Sequence, residues 1–195
     1  MPACRSLVLV LLGLLSLFTP GSASPAYRDY AVAIVANPPQ GVAVRPDLEA
    51  LLDQLANAAR AAKGGPALES KTQFKTAARA QAIDMVLGDF VGHRSFKGYS
   101  FNARISAFAD DLALVPRRGE NAARERSKGP PDAIKARRLF QQWVKSGGHR
   151  RNMLNRSYTA VSTGVVQKGN HLYAVQIFFS EREAPAAGGS LFSTD

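Results

Sequence analysis

Residues 143–154 read W-V-K-S-G-G-H-R-R-N-M-L, and the way this run is taken decides the fold. Upstream of it, Pro130, Pro131 and Asp132 can open a helix. Ala133, Ala136, Leu139, Phe140, Trp143 and Val144 then recur at threes and fours, so one helical face is buried as far as the tryptophan. Gly147 and Gly148 are read as the stop. A helix end leaves backbone carbonyls without partners, so His149, with Arg150, Arg151 and Asn152 behind it, falls where a polar site can be built. Phe90-Val91-Gly92-His93 and Gly119-Glu120-Asn121-Ala122-Ala123 supply the other candidate groups. The chain has three histidines, at 93, 149 and 171, and two of them lie in these pieces.

Downstream, two apolar runs (161–167 and 172–179) flank Lys168-Gly169-Asn170, the pattern of a hairpin and its turn. The second run is apolar at both alternating sets of positions, so its sheet is covered on both faces. Upstream, Leu48, Leu51, Leu52, Leu55, Ala58 or Ala59, and Ala62 trace the buried face of a helix opened by Pro46-Asp47-Leu48-Glu49 and closed by Gly64-Gly65-Pro66. A second helix spans about 70–87, with Phe74, Ala77, Ala78, Ala82, Met85 and Val86 inward. Gly88 weakens it, and Gly92 places His93 in a loop. Residues 94–128 lose periodicity, and a loop of that length in a compact domain is usually functional. The expected class is α+β, with a small antiparallel sheet between helical layers.

The ends are read separately. Residues 1–23 hold Arg5, a twelve-residue apolar run (7–18) and small residues up to Ala23, which fits a signal peptide cut near Ala23; the run is short of the ~20 residues a span needs. Cys4 would leave with it, so the exported chain has no disulfide and relies on core burial. Residues 24–46 are taken as a Pro- and Ala-rich leader whose piece 30–36 is either a strand or an ordered arm. The domain is set at 47–182, and 183–195 is a loose tail. The chain has 195 residues and a formal net charge of +10. Residues 94–156 hold 15 Lys and Arg against 5 Asp and Glu, so the whole excess lies around the candidate site. A basic face on an exported protein favours lipid head groups, acidic cell-wall polymers or anionic glycans, including contact with a membrane surface. Nucleic acid is not expected, because aromatic residues are not interleaved with the arginines.

The order of these signals resembles a known family. Asn57-x-x-Arg60, Asp84-Met85, Phe90-x-x-His93, Arg104-Ile105, Gly119-Glu120-Asn121, Trp143-x-x-Ser146-x-Gly148-His149-Arg150-x-Asn152-Met153-Leu154, Gly164-Val165 and Tyr173-x-Val175-Gln176-x-Phe178 look like the bacterial branch of the CAP superfamily. That superfamily takes in cysteine-rich secretory proteins, antigen 5 and pathogenesis-related proteins, and its domain is also called the SCP domain. The likeness covers about 48–180. It implies secretion, an α-β-α sandwich, and a cleft lined by two histidines and up to two glutamates. His93, Glu120 and His149 match three of those positions. Ser146 stands where eukaryotic members carry the second glutamate, and their disulfides are absent.

The cleft candidates are therefore His93, Glu120, His149 and Ser146, with Arg150, Asn121 and Asn152 as ligand contacts. Two imidazoles and a carboxylate with an open fourth position suit Zn²⁺ or another divalent ion, with His93 and His149 as the ligands. Alternatively, Glu120 pairs with a neighbouring histidine or backbone amides and holds its loop. Ser146 lacks the strained turn and oxyanion donors of a serine nucleophile. The expected function is a non-catalytic, monomeric binding module for a lipid, an anionic polymer or a metal ion. A metal-dependent hydrolase using His93, Glu120 and His149 is one alternative, and a structural wall-associated protein is another.

Overall fold

The computed structural model describes residues 23–182. The expected signal peptide, save its last residue, and the expected tail 183–195 lie outside the described residues. Among the described residues, six helices, α1 (Ala23–Ala36), α2 (Pro46–Ala61), α3 (Lys75–Leu87), α4 (Phe101–Ser106), α5 (Ala133–Lys145) and α6 (Gly147–Leu154), accompany five strands. The strands are β1 (Val42–Val44), β2 (Glu69–Ser70), β3 (Arg117–Glu125), β4 (Ala160–Lys168) and β5 (His171–Ser180).

The hairpin forms as expected. β4 and β5 pair antiparallel from Ala160↔Phe179 to Lys168↔His171, and Gly169 takes the positive φ of 55° that the tight turn requires. The sheet runs β1-β4-β5-β3, and the two-residue β2 lies parallel against β4. Alternation along β5 sorts the core into two layers. Tyr173, Val175, Ile177 and Phe179 pack with α1, α3 and α4. Leu172, Ala174 and Phe178 pack with α2, α5 and α6. The molecule is thus an α-β-α sandwich with its sheet buried on both faces.

Three expectations change. Residues 24–46 are built into the body: 30–36 is neither strand nor arm but part of α1, whose Tyr27 and Ala31 are fully buried. Tyr27 tilts against Tyr99 at 5.0 Å between ring centroids. Second, the apparent loop 94–128 contains α4, a 3-10 turn at Leu112–Leu114 and the nine-residue β3. Third, Gly147 and Gly148 do not end the helical run; they begin α6, and only Ser146 breaks it, with φ −78° and ψ 121°. On α5 itself Ala133 is exposed, and Lys135 is buried in its place. The Lys135 ammonium stays satisfied by donating to the carbonyls of Ser127, Gly129 and Asn170.

Candidate functional site

β3 is the last strand of the sheet, and its side chains alternate between the helical layers. Glu120 points toward the α3–α4 layer and Asn121 toward the α5–α6 layer. The site is built from that alternation. Glu120 is a strand residue, not a loop acid, and its side chain is 2% exposed. Arg104 of α4, fully buried, places Nη2 2.8 Å from Oε1 and 2.7 Å from Oε2 of Glu120, and donates to the His93 carbonyl at 3.1 Å. His93 Nδ1 lies 2.9 Å from Glu120 Oε1. The loop that carries His93 is pinned from below by Gln81, whose side-chain amide donates to the carbonyls of Gly92 (2.7 Å) and Arg94 (3.2 Å).

On the other face, the Asn121 amide donates to the His149 carbonyl at 3.0 Å. Asn152 donates to Asn121 Oδ1 at 3.1 Å and to the Glu120 carbonyl at 3.2 Å. These two asparagines lock α6 to β3. Arg150 turns back to donate to the Val144 carbonyl at 2.9 Å, which caps the end of α5. His149 lies in the first turn of α6, not beyond the end of a helix.

Folding brings His93 and Glu120 into hydrogen-bond contact beside β3 and sets His149 at a second hollow along the same strand, near enough for the charge of His93 to act on it. The cleft consists of two hollows. The smaller, about 220 Å³, is lined by His93, Phe101, Arg118, Gly119 and Glu120. The larger, about 450 Å³, is lined by Val91, Ala122, Ala123, Arg124, Gln142, Ser146 and His149. A hydrogen bond to Glu120 raises the His93 pKa against the opposing effects of burial and Arg104. Burial, and then the charge of His93, lower that of His149. No hydrogen bond joins the Ser146 hydroxyl to His149 among the described residues, so Ser146 has no base to activate it.

As a metal centre the donor set does not fit. Both Glu120 oxygens already accept from Arg104, a fixed cation that would stand beside the ion. Among the described residues, no group of three or more His, Cys, Asp or Glu side chains is placed to hold a metal. In the sequence Arg104 stands within a motif, Val91 beside His93 and Ala122 beside Asn121, with nothing to mark a role for any of them, and Arg118 lies in no motif at all. The pattern around each is that of an ordinary solvated arginine or a small apolar residue.

A model of the cysteine-rich secretory protein family, CAP, matches residues 54–179. The uncharacterized protein YkwD of Bacillus subtilis (strain 168) is 30% identical over 117 residues, which cover 60% of this chain and 42% of that protein. This chain thus spans less than half of that relative. Among solved structures, an extracellular protein containing an SCP domain from Bacillus anthracis matches with a TM-score of 0.57 and 25% identity, over 70% of this chain and 41% of that one. An outer surface protein from Borrelia burgdorferi matches with a TM-score of 0.59 over 70% of this chain and 94% of that one; at 17% identity it bears on the fold alone.

Proposed function

Since the chain belongs to the cysteine-rich secretory protein (CAP) family, we propose that it is an exported binding module whose basic cleft holds an anionic ligand, and that it carries out no hydrolysis. One observation carries this reading: the cleft's single acid is fully spent on its neighbours, while the cations around it are not. Glu120 is shared by Arg104 and His93. Arg118 lines the smaller hollow with Asn102 and the Val115 carbonyl as its partners and no carboxylate among the described residues. Beside the larger hollow, Arg124 and Arg126 divide one carboxylate, that of Asp89. A site with a surplus of fixed cations favours anions. Among the described residues it holds neither a free carboxylate to act as a general base nor a nucleophile hydrogen-bonded to one. Export is supported by the leader pattern of residues 1–23 and by the extracellular character of the Bacillus anthracis relative.

The test is binding of the chain lacking residues 1–23 to vesicles of phosphatidylglycerol, with phosphatidylcholine as the control, and to sulfated dextran. Retention on an anionic probe at low salt, lost on raising the salt, is expected. Arg118→Glu should weaken it at least tenfold, and the paired reversal of the exposed Arg137 and Arg138 should weaken it less if the cleft is the site. Equal retention by the wild type and Arg118→Glu would count against the cleft, and no retention on any anionic probe would remove the proposal.

A further inference from the structure

Of the five large apolar side chains that stand well exposed among the described residues, three are close together in the chain: Leu87 (41% exposed), Val91 (44%) and Phe96 (53%). They belong to the run 87–98, L-G-D-F-V-G-H-R-S-F-K-G, which leaves the end of α3. Nine of its twelve residues are exposed, so the run projects from the body. Phe96 and Lys97 form a tip, as the central pair of a turn closed by Gly98 N–H donating to the Ser95 carbonyl at 2.9 Å. Two glycines let the apolar groups join into one patch. A Cβ at Gly88 would meet the Phe90 ring at 2.7 Å and the Phe96 ring at 2.9 Å, so both rings lie against the backbone next to Leu87. A Cβ at Gly92 would meet the opposite edge of the Phe90 ring at 3.4 Å, beside Val91. The loop is also held in place. Gln81 bonds the Gly92 and Arg94 carbonyls from below, and Ser95 N–H donates to the Tyr99 carbonyl at 2.9 Å. Single exposed apolar residues are ordinary, whereas a cluster of them marks a contact surface.

We infer that this loop docks the protein on an anionic lipid bilayer, with Leu87, Val91 and Phe96 below the head groups and the cations around them at head-group level. Arg94 and Lys97 lie in the run itself, and Arg124 and Arg126 reach it from the end of β3 and just beyond through their ion pairs with Asp89. Asp89 is the only acid of the run, and those two arginines share it, so the rim of the patch is positive. A soluble polyanion would meet these cations but leave three apolar side chains in water. A second copy of the chain would cover them, yet a projecting tip of three side chains is small against the roughly 800 Å² per partner of a stable interface. A bilayer surface takes both parts at once, since apolar side chains enter the acyl boundary while Arg and Lys stay among the phosphates. Because the loop is already held by its own hydrogen bonds, docking orders little new chain. The inference rests on export, as proposed above, but not on an occupied cleft, for it uses neither Glu120 nor Arg118. Val91 also lines the larger hollow, so docking sets the rim of that hollow at the head-group layer.

The test uses the chain lacking residues 1–23 with phosphatidylglycerol vesicles, phosphatidylcholine vesicles and sulfated dextran. In Phe96→Trp, emission should shift to the blue on phosphatidylglycerol and be quenched by bromines placed on the acyl chains. The wild type, whose one tryptophan is the buried Trp143, should show neither change. The triple variant Leu87→Ser, Val91→Ser and Phe96→Ser should bind phosphatidylglycerol at least tenfold more weakly and keep its retention on sulfated dextran. Unquenched Phe96→Trp, or equal vesicle binding by the wild type and the triple variant, overturns the membrane inference. The tryptophan readout decides the matter even if the triple variant fails to fold. Dimerisation of the wild type that the triple variant abolishes, with no quenching, gives the patch to a second copy and overturns it too. Retention on dextran without quenching on vesicles leaves the cleft reading standing alone. If no anionic probe is retained at low salt, both readings fall.

Discussion

His93 and His149 share a cleft but titrate in opposite directions. The Glu120 hydrogen bond favours the imidazolium of His93, whereas burial and the nearby His93 charge disfavour that of His149. Between the two pKa values the cleft therefore carries one added positive charge, on His93. In the unfolded chain both titrate near 6.5. His93, raised in the fold, contributes stability that is complete below about 6.5 and lost as pH rises through its folded pKa. His149, lowered in the fold, contributes stability that is complete above about 6.5 and lost as pH falls. Ring-proton titration by NMR should place His93 above His149. Glu120→Gln should bring His93 down, and His93→Ala should let His149 rise; the reverse order of the two would contradict the geometry. Arg104 is the larger energetic element. Replacing it with Met leaves the Glu120 carboxylate buried beside a partly exposed histidine alone, and breaking a buried pair on one side costs about 3–5 kcal/mol. Urea unfolding should show that loss for Arg104→Met and recover part of it in the double variant with Glu120→Gln. The two histidines and Glu120 were readable as chemistry-bearing residues from their places in the motifs. Arg104 was not, because an arginine's burial is a property of what packs over it, and its partner lies 16 residues away on another element.

Elements with strong internal periodicity were legible, and the element with none was not. The residues of α2, α3 and α5 repeat at threes and fours, and β4 and β5 alternate around a Lys-Gly-Asn turn. β3 reads R-R-G-E-N-A-A-R-E, with no branched or aromatic residue, and is a strand because β5 pairs with it along all nine positions. The double glycine before His149 misled for a related reason. Glycine can stop a helix, but here Ser146 alone interrupts, and the α6 turn is held from outside by Asn121, which donates to the His149 carbonyl and accepts from Asn152 of α6 itself. Gly164 shows the opposite case, a glycine whose need is packing. A Cβ there would stand 2.5 Å from the Ala78 carbonyl carbon and 2.8 Å from the Arg79 Cα, both backbone atoms of α3. The helix would have to lift from the sheet. Gly164→Ala should therefore cost at least the ~1–3 kcal/mol of an overpacked core, measured by urea unfolding, whereas Gly148→Ala, with nothing within 4 Å, should not. A loss-free Gly164→Ala would mean that α3 does not sit this close to β4.

At the scale of the whole molecule, the site exists because both helical layers end on the same edge strand. Glu120 is tied to the first layer through Arg104, and Asn121 is tied to the second through the His149 carbonyl. The cleft is the seam between them, so its geometry depends on both layers being present. This sets a condition on the minimal folding unit that the family match does not convey. The match begins at residue 54, whereas Tyr27, Val42, Leu48 and Leu52, all buried, lie before it. Full burial of each such side chain is worth about 1.5–3 kcal/mol, so the four together approach ~6–12 kcal/mol. Typical domains have only ~5–15 kcal/mol in total. The loss falls on both layers at once, since Tyr27 and Val42 belong to one core cluster and Leu48 and Leu52 to the other. A chain cut to residues 54–179 should accordingly show no cooperative urea transition and no protected amides in β3, while residues 24–182 should show both. If the shorter chain unfolded cooperatively with the same midpoint, α1, β1 and the start of α2 would be accessories to the fold, and the buried side chains they carry would contribute far less than their area implies.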